Sequence, residues 1–377
     1  MRILSLFDGK SCGRIALERA GVSVTKYFAS EVDKFSIIVS KSNYPNLIQL
    51  GDVVRLRKLL QMDLVALNGL AADDLVIHVI DIKRNGIDIL IGGSPCQGFS
   101  FAGKHLNFED DRSALFFEFV KIRDIIKPRY FFLENVRMKK EIELEINRIM
   151  GVKPYKLNSN LVSAQNRLRY YWTNIKIKSV PLDKGIVLKD ILQPIEEVGK
   201  KYSISNKMLS RLNVDKINHV GFVGFSNEGK EVSKSSTLSA RDYKGMCNQG
   251  INVVKTKIIP VNPKLSNGLQ TKMQDRIFDS NGLSPCLTSF CNTLNVKHQY
   301  AFRRLTPIEC ERLQTVPDNY TAAVSNSQRY KMLGNGWTID IIAFFFKHIN
   351  SKKNNNGNPK KRLKNVENYK NQISFRF

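Results

Sequence analysis

The sequence is poor in cysteine and in acidic residues, and it contains no long apolar run. Six cysteines in 377 residues are too few for a disulfide scaffold, which indicates a reducing compartment. The apolar segment "IIAFFF" is bracketed by Asp340 and Lys347 and is too short to cross a bilayer, which needs about 20 apolar residues. The start, "MRILSLFDGK", has an early acidic residue and is unlike a signal peptide. We therefore expect a soluble, cytoplasmic protein with no membrane contact.

Positive charge is the first functional hint in the composition. The chain carries 59 lysines and arginines against 34 acidic residues, a formal net charge of +25. The segment from Ser351 onward holds eight basic residues and one glutamate, so about +18 remains on the body of the chain. A positive field of this size attracts polyanions such as nucleic acids. A bias toward Lys, Asn and Ile would produce the same numbers, so charge alone leaves both interpretations open.

The first half of the chain alternates short apolar runs with amphipathic segments. "RIALERAG" and "FSIIVSKSN" have helical periodicity, and Gly21 follows the first of them at a C-cap position. Strands that alternate with helices predict an α/β fold, a doubly wound and mostly parallel sheet with helices on both faces. The five predicted strands are "RILSLF", "KYFAS", "LIQLGDV", "IDILIGG" and "RYFFLENV".

Chemically useful side chains follow or end these predicted strands. In a parallel sheet, ligands bind beyond the carboxyl ends of the strands. We therefore expect the strand-end residues to converge on one rim of the sheet: Gly9, Glu31, Asp52, Cys96 and Glu134.

The composition of the sequence changes at about Lys176. Residues 176–327 are polar, punctuated by Gly and Ser, and predict a smaller, irregular β-rich domain, separate from residues 1–175. The basic tail, 351–377, is expected to be disordered.

The segment "LFDGKSCG" predicts a strand-to-helix turn that a ligand can approach closely. Gly9 and Gly13 make such a turn at a helix N-terminus, although the spacing is not that of the G-x-G-x-x-G dinucleotide motif. Glu31 is suited to binding ribose hydroxyls, and Asp52 to accepting from an adenine amino group. An adenosyl ligand without a pyrophosphate would fit. Ordinary turn glycines and solvated acids would leave the same pattern.

The segment "GGSPCQGFS" raises the question of whether Cys96 is a packing residue or a nucleophile. Most free cysteines are packing residues, but Cys96 follows Pro95 on the expected rim. A cysteine attacks as its thiolate. Methylation of a pyrimidine requires such a thiolate, an acid and an adenosyl cofactor, because addition at C6 makes C5 nucleophilic. Glu134 in "FFLENV" is the candidate partner for N3.

With these blocks in order, the sequence resembles the DNA cytosine-5 methyltransferase family. The matching blocks span Met1 to about Ile349: "LFDGKSCG", "GGSPCQGFS", "FFLENV", "QNRLRYYW", "RRLTPIECERLQ" and "GNGW". The bacterial and phage enzymes are similar through "RRLTP", and "RSALFFEF" is similar to the de novo mammalian members. The resemblance implies S-adenosylmethionine as methyl donor on a Rossmann-like fold, no metal, and a specific double-stranded DNA sequence as substrate.

The resemblance implies that residues 1–175 are the catalytic domain, that 328–350 pack back on it, and that 176–327 are the target-recognition domain. It also implies roles for individual residues. Cys96 would be the nucleophile and Glu134 the N3 partner, while Arg167 and Arg169 would hold the flipped cytosine and a nearby phosphate. The implied cofactor site consists of Phe7, Gly9, Glu31, Asp52, Val53, Pro95, Leu115 and Asn335. The implied substrate contacts are Gln97, Ser100 and Gln165.

One position departs from the family pattern. Lys10 stands where the family usually has an apolar residue, and its cation could either point to solvent or perturb cofactor binding. We expect binding to be retained, because contacts at this turn are largely to the backbone.

Two alternatives to a DNA methyltransferase stay open. A tRNA-modifying branch shares these motifs, although the polar middle segment favours duplex DNA; a catalytically inactive DNA-binding regulator would not need the nucleophile that this chain keeps. A zinc deaminase is excluded, because no His is followed two places on by Glu and Phe99 replaces the second cysteine of its motif. We expect a bacterial or phage-encoded monomer, with a cognate restriction endonuclease as a partner in the same system but not in a stable complex.

Overall fold

The structure is a computed structural model. It describes residues 1–70, 73–94, 111–202, 222–224, 231–232, 252–257 and 300–349. Four of the expected site residues lie outside the described residues, namely Pro95, Cys96, Gln97 and Ser100. The tail from 351 and most of residues 203–299 also lie outside them.

A seven-stranded sheet organises the first part of the chain. Its order is β3-β2-β1-β4-β5-β7-β6, and all neighbours pair in parallel except that β7 is antiparallel to both β5 and β6. The fold class expected from the sequence, a mostly parallel doubly wound sheet, is therefore confirmed. The strands are β1 (Arg2–Leu6), β2 (Lys26–Ser30), β3 (Ile48–Gln49), β4 (Ile89–Gly92), β5 (Tyr130–Val136), β6 (Tyr155–Asn158) and β7 (Leu168–Thr173).

Ten helices accompany the two sheets within the described residues. They are α1 (Cys12–Arg19), α2 (Lys34–Asn43), α3 (Val53–Gln61), α4 (Leu64–Asn68), α5 (Asp74–Asn85), α6 (Asp111–Ile126), α7 (Lys140–Met150), α8 (Pro307–Leu313), α9 (Asn326–Asn335) and α10 (Ile339–Lys347). Short 3₁₀ turns cover Ser159–Leu161, Leu188–Asp190, Ile195–Glu197 and Lys200–Tyr202. Aspartates at the N-caps satisfy orphan backbone donors: Asp33 Oδ1 accepts from Phe35 N and Ser36 N at the start of α2.

Two cores lie on opposite faces of the sheet because side chains alternate along each strand. Ile3 and its partner Ile89 belong to one cluster, and the next pair, Leu4 and Leu90, belongs to the other. All four are 0% exposed, and each such side chain contributes about 1.5–3 kcal/mol of burial free energy. Helices therefore cover both faces, as the near-continuous apolar strands predict.

The apolar C-terminal helix α10 packs on the first core. Phe345 lies 5.2 Å from both Phe132 of β5 and Tyr171 of β7, measured between ring centroids. α10 also packs along α1 at the other end of this core. The expected return of the last helix to the first domain is thus observed, and no helix among the described residues has the length and apolarity of a membrane span.

The return to the first core begins earlier than position 328. Leu305 and Leu313 are buried in the same cluster as Ile3, and Leu313 O accepts from Ser163 Oγ at 2.5 Å. Leu188, near the start of the expected recognition domain, is buried there too. Side chains from both ends of the segment 176–327 therefore belong to the core of the first sheet, which the polar composition of this segment did not indicate. The expected domain limits stay a prediction.

A second, four-stranded antiparallel sheet lies in the middle segment. Its order is β11-β10-β8-β9, and the strands are β8 (Phe222–Gly224), β9 (Glu231–Val232), β10 (Asn252–Lys257) and β11 (Tyr300–Arg304). Antiparallel pairing here agrees with the expected β-rich character of the recognition domain, whose limits stay a prediction.

Candidate functional site

A cavity of about 550 Å³ opens at the carboxyl edge of the seven-stranded sheet. The ends of β1, β2, β4 and β5 contribute to its wall, as does the start of the antiparallel strand β7. The segment that follows α9 closes the opposite side. The rim on which we expected the strand-end residues to converge is therefore a real cavity.

The turn after β1 has a contorted backbone. Phe7, Gly9 and Ser11 all have left-handed φ values, of 56°, 58° and 60°. Such a conformation costs a non-glycine residue roughly 1–2 kcal/mol, so the surroundings must hold it in place. Gly9 N donates to Glu31 Oε2 at 2.7 Å, which ties this turn to the end of β2.

A buried carboxyl group braces the same turn from below. Asp8 Oδ1 accepts from the Tyr27 hydroxyl at 2.7 Å, and Asp8 Oδ2 accepts from Ser11 Oγ at 2.5 Å. Burial raises the pKa of Asp8 from 3.8 to about 6, and the hydrogen bonds from Ser11, Ser5 and Tyr27 oppose this rise. No cation pairs with Asp8 within the described part of the chain, so its charge is stabilised by hydroxyl donors alone.

Glu31 and Asp52 lie at the cavity wall with their carboxylates partly committed to the backbone. Glu31 Oε1 accepts from the amides of Val32 and Asp33, both at 2.8 Å. Asp52 caps α3 through Oδ1, which accepts from Arg55 N at 2.8 Å. These bonds fix both side chains in position and leave further lone pairs for a ligand.

The cavity brings together every described residue that the resemblance implied for the cofactor. These are Phe7, Gly9, Glu31, Asp52, Val53, Leu115 and Asn335. Their common location is a structural result, whereas the contacts of each one with a cofactor stay a prediction.

Lys10 is buried in the cavity wall, which excludes the expectation that its cation points to solvent. The residue is only 2% exposed, and Nζ donates to Met332 O, in α9, at 3.0 Å. Gly336 makes room for it, since a Cβ on Gly336 would lie 2.0 Å from Lys10 Nζ. Sequence reasoning identified this position as unusual but could not find its partners, which are more than 300 residues away.

Glu134 projects from β5 and is held by one ion pair and one hydrogen bond. Its Oε1 lies 3.1 Å from Arg169 Nε, and its Oε2 accepts from Trp337 Nε1 at 3.0 Å. Val136 of β5 pairs with Arg169 of β7, so Glu134, two residues before Val136, lies diagonally across from Arg169. This register brings the two charged side chains together. Gly93 leaves room for the arrangement, since a Cβ there would lie 2.9 Å from Trp337 Nε1 and 3.1 Å from Glu134 Oε2.

Trp337 is a site residue that sequence reasoning missed. The "GNGW" block contained it, but only Asn335 was selected from that block. The usable signal was a tryptophan directly after a Gly-Asn-Gly turn, since an indole that is partly buried usually directs its N–H to an acceptor.

Arg167 lines the cavity, and its guanidinium group also binds the chain. It is 3% exposed and donates from Nη2 to the carbonyls of Gly334 and Gly336, at 3.2 and 2.9 Å. It thus holds the turn that follows α9. Its expected role toward the target base stays a prediction.

Two further residues complete the comparison with the sequence. Gln165 is 0% exposed and is not part of the cavity wall, and neither amide atom has a hydrogen-bond partner among the described residues. Ser94, two residues before Cys96, is at the wall, and its Oγ accepts from Asn135 Nδ2 at 3.3 Å.

The described residues contain no group of three or more His, Cys, Asp or Glu side chains that could hold a metal ion.

Comparison with known proteins places this site in a family. A sequence model of the C-5 cytosine-specific DNA methylases matches residues 1–351. The orphan methyltransferase M.SPRI of Bacillus phage SPR is 26% identical, over 93% of this chain and 97% of the relative. The type II methyltransferase M.HpaII of Haemophilus parainfluenzae is 30% identical, over 71% of this chain and 73% of the relative.

Solved structures share the fold. The methyltransferase EhMeth of Entamoeba histolytica superposes with a TM-score of 0.61 at 17% identity, covering 93% of this chain and 98% of the other. The shared fold and the sequence match over nearly the whole chain agree with each other. The chain therefore belongs to the C-5 cytosine-specific DNA methylase family.

Proposed function

We propose that this chain transfers a methyl group from S-adenosylmethionine to C5 of cytosine within a specific sequence of duplex DNA. One observation carries the proposal: a single cavity contains both the Phe7–Gly9 turn with Glu31 and the braced carboxylate of Glu134. Ser94, at the wall of this cavity, precedes Pro95 and Cys96 in the chain.

The cavity fits the proposed cofactor. Glu31 has lone pairs left to accept from ribose hydroxyls, and Asp52 Oδ2 accepts no hydrogen bond from the described residues, so it is available to an adenine amino group. The Gly9 turn lets a ligand approach the backbone closely. Bound S-adenosylmethionine would supply an electrophilic methyl group.

In the proposed mechanism the target cytosine leaves the base stack and enters this cavity. The Cys96 thiolate forms a bond to C6, N3 takes a proton from the Glu134 carboxyl group, and the resulting enamine is nucleophilic at C5. After C5 takes the methyl group, a base removes the C5 proton, the C6–sulfur bond breaks and the N3 proton returns to Glu134, which restores the ring and the thiolate. Arg169 and Trp337 hold the Glu134 carboxylate in place throughout.

The proposed substrate is duplex DNA, and the chain is proposed to bind it as a monomer. The net charge of +25 favours a polyanion, and the family match is to DNA methylases. A tRNA substrate is the second candidate, because its methylation uses the same chemistry. M.HpaII is named as a type II methyltransferase, and for this chain a cognate endonuclease in the same system is part of the proposal.

The first experiment reads activity and target together. DNA from cells that express the chain, or its Cys96→Ser variant, is analysed by bisulfite sequencing. We expect a recurring methylated motif with the wild-type chain only. Absence of any methylated motif in both would contradict the proposed function.

The second experiment traps the covalent step. A duplex with 5-fluorocytosine in that motif, incubated with the chain and S-adenosylmethionine, should give an adduct that survives denaturing electrophoresis. Cys96→Ser should abolish the adduct, while the matched control Cys310→Ser, at a buried cysteine outside the cavity wall, should retain it. An adduct that persists in Cys96→Ser would exclude this nucleophile, and competition by tRNA but not by DNA would replace the proposed substrate.

A further inference from the structure

Lys10 is a cation in the wall of the cavity, and none of the described carboxylates pairs with it. It is 2% exposed, yet it lines the cavity. Its ammonium group donates one hydrogen bond, to Met332 O at 3.0 Å, and no carboxylate of the described residues forms an ion pair with it. An ammonium group has three donors, so two of its N–H groups are uncommitted to the described chain.

Such an arrangement is costly unless a ligand compensates for it. Removing an ammonium ion from water is strongly unfavourable even after the protein relaxes, and one carbonyl dipole compensates for little of this. The chain nevertheless keeps the residue in position from two sides. Tyr320 Oη donates to Lys10 O at 2.8 Å, and the missing side chain of Gly336 provides the space for Nζ.

The burial of Lys10 limits which anionic ligands can reach its ammonium group. A nucleic-acid phosphate is attached to a bulky backbone, and a side chain that is only 2% exposed is out of its reach. A small ligand that enters the cavity can reach Nζ. The proposed cofactor, S-adenosylmethionine, has no phosphate, and its one anionic group is the α-carboxylate of its methionine part.

We propose that Lys10 Nζ binds the α-carboxylate of S-adenosylmethionine, a cofactor contact specific to this chain. The inference rests on the proposed function, because it takes the cofactor from there. It places the methionine end of the cofactor beside Met332 and Gly336, while Glu31 and Asp52 are proposed to hold the adenosyl end. The demethylated product keeps the same carboxylate and should depend on Lys10 equally.

Isothermal titration calorimetry on the full chain tests this contact with two ligands and three proteins. The ligands are S-adenosylmethionine and decarboxylated S-adenosylmethionine, which lacks the α-carboxylate. The proteins are the wild type, Lys10→Met and the control Lys331→Met. Lys331 also lines the cavity, but its side chain is 47% exposed and pairs with Asp33 at 2.9 Å.

We expect wild type to bind the decarboxylated ligand about 10- to 100-fold more weakly, the range for a hydrogen bond between charged groups. Lys10→Met should lose S-adenosylmethionine affinity by a similar factor, and its preference between the two ligands should fall to near one. Lys331→Met should keep the wild-type preference, because an exposed pair contributes little.

The outcomes separate this inference from the proposed function. If wild type binds S-adenosylmethionine but Lys10→Met keeps the same preference between the ligands, the contact is refuted and the proposed function stands. If wild type binds neither ligand, both are refuted. The wild-type comparison of the two ligands shows without any variant whether the α-carboxylate contributes to binding, and the ligand preference of Lys10→Met assigns that contribution to Lys10. Thermal melting of ligand-free Lys10→Met, at a position where the family tolerates apolar residues, confirms its fold.

Discussion

The buried carboxyl group of Asp8 makes the stability of this chain depend on pH in an unusual direction. Most acidic groups in folded proteins have a lowered pKa, whereas burial raises the pKa of Asp8 from 3.8 to about 6. The folded state therefore binds a proton more tightly than the unfolded state. The stability that this group contributes is fully present below pH 3.8 and is lost as the pH rises through about 6.

The magnitude follows from the size of the shift. Each pKa unit corresponds to about 1.4 kcal/mol, so the free energy of unfolding should decrease by about 3 kcal/mol across this window on account of Asp8 alone. Asp8→Asn keeps the shape and removes the titration: Oδ1 can still accept from Tyr27, and Nδ2 can donate to Ser11 Oγ, which in turn donates to Ser40. The variant should gain stability relative to wild type as the pH rises from 4 to 7.

Urea unfolding of both ligand-free proteins at a series of pH values measures this difference, and titrations common to both proteins cancel in it. Asp81→Asn is the control of opposite sign. Burial raises the pKa of Asp81, but hydrogen bonds from Lys26, Arg2 and Asn85 outweigh it and lower the pKa to about 2. Its difference curve should therefore change at lower pH and in the other direction. A flat curve for Asp8→Asn between pH 4 and 7 would refute the reasoning.

Two further predictions concern the carboxylate of Glu134. Trp337→Phe removes the donor 3.0 Å from Glu134 Oε2 while keeping an aromatic ring, and should lower the single-turnover methylation rate about tenfold, the lower end for a charge-assisted hydrogen bond; an unchanged rate would mean that Arg169 alone positions the group. Gly93→Ala places a Cβ between Trp337 and Glu134 and should lower the rate at least as much with little change in melting temperature. Combining the two substitutions should cost less than the sum, since both disrupt one contact, and additive losses would contradict this.

Local pattern alone located most elements of the first sheet. The predicted strand "KYFAS" has the same first and last residues as β2, and the predicted strand "RYFFLENV" is one residue longer than β5. The expected strand "LIQLGDV" is reduced to Ile48–Gln49, because β3 is an edge strand and Asp52 is already the N-cap of α3. Edge strands pair on one side only, so apolar character overestimates their length.

Residues 305–327 show that a polar composition does not exclude a contribution to the core. The segment 305–327 follows polar sequence, and yet Leu305, Leu313 and Tyr320 are buried in the core of the first sheet. A polar segment can still supply a few core side chains from a short helix, and only the contacts of those side chains reveal it.

The sequence by itself determined the strand-end positions of Gly9, Glu31 and Glu134 and their convergence, because parallel strands bring their carboxyl ends to one edge. Only the tertiary structure decided what surrounds them. The partners of Lys10 and Glu134, at Met332 and Trp337, are 322 and 203 residues away in the chain. Strand periodicity and helix periodicity are local properties, whereas the direction of a buried charge depends on which distant backbone packs against it. For that reason the sequence could identify Lys10 as unusual, but only the fold determined that it is buried in the cavity wall against Met332.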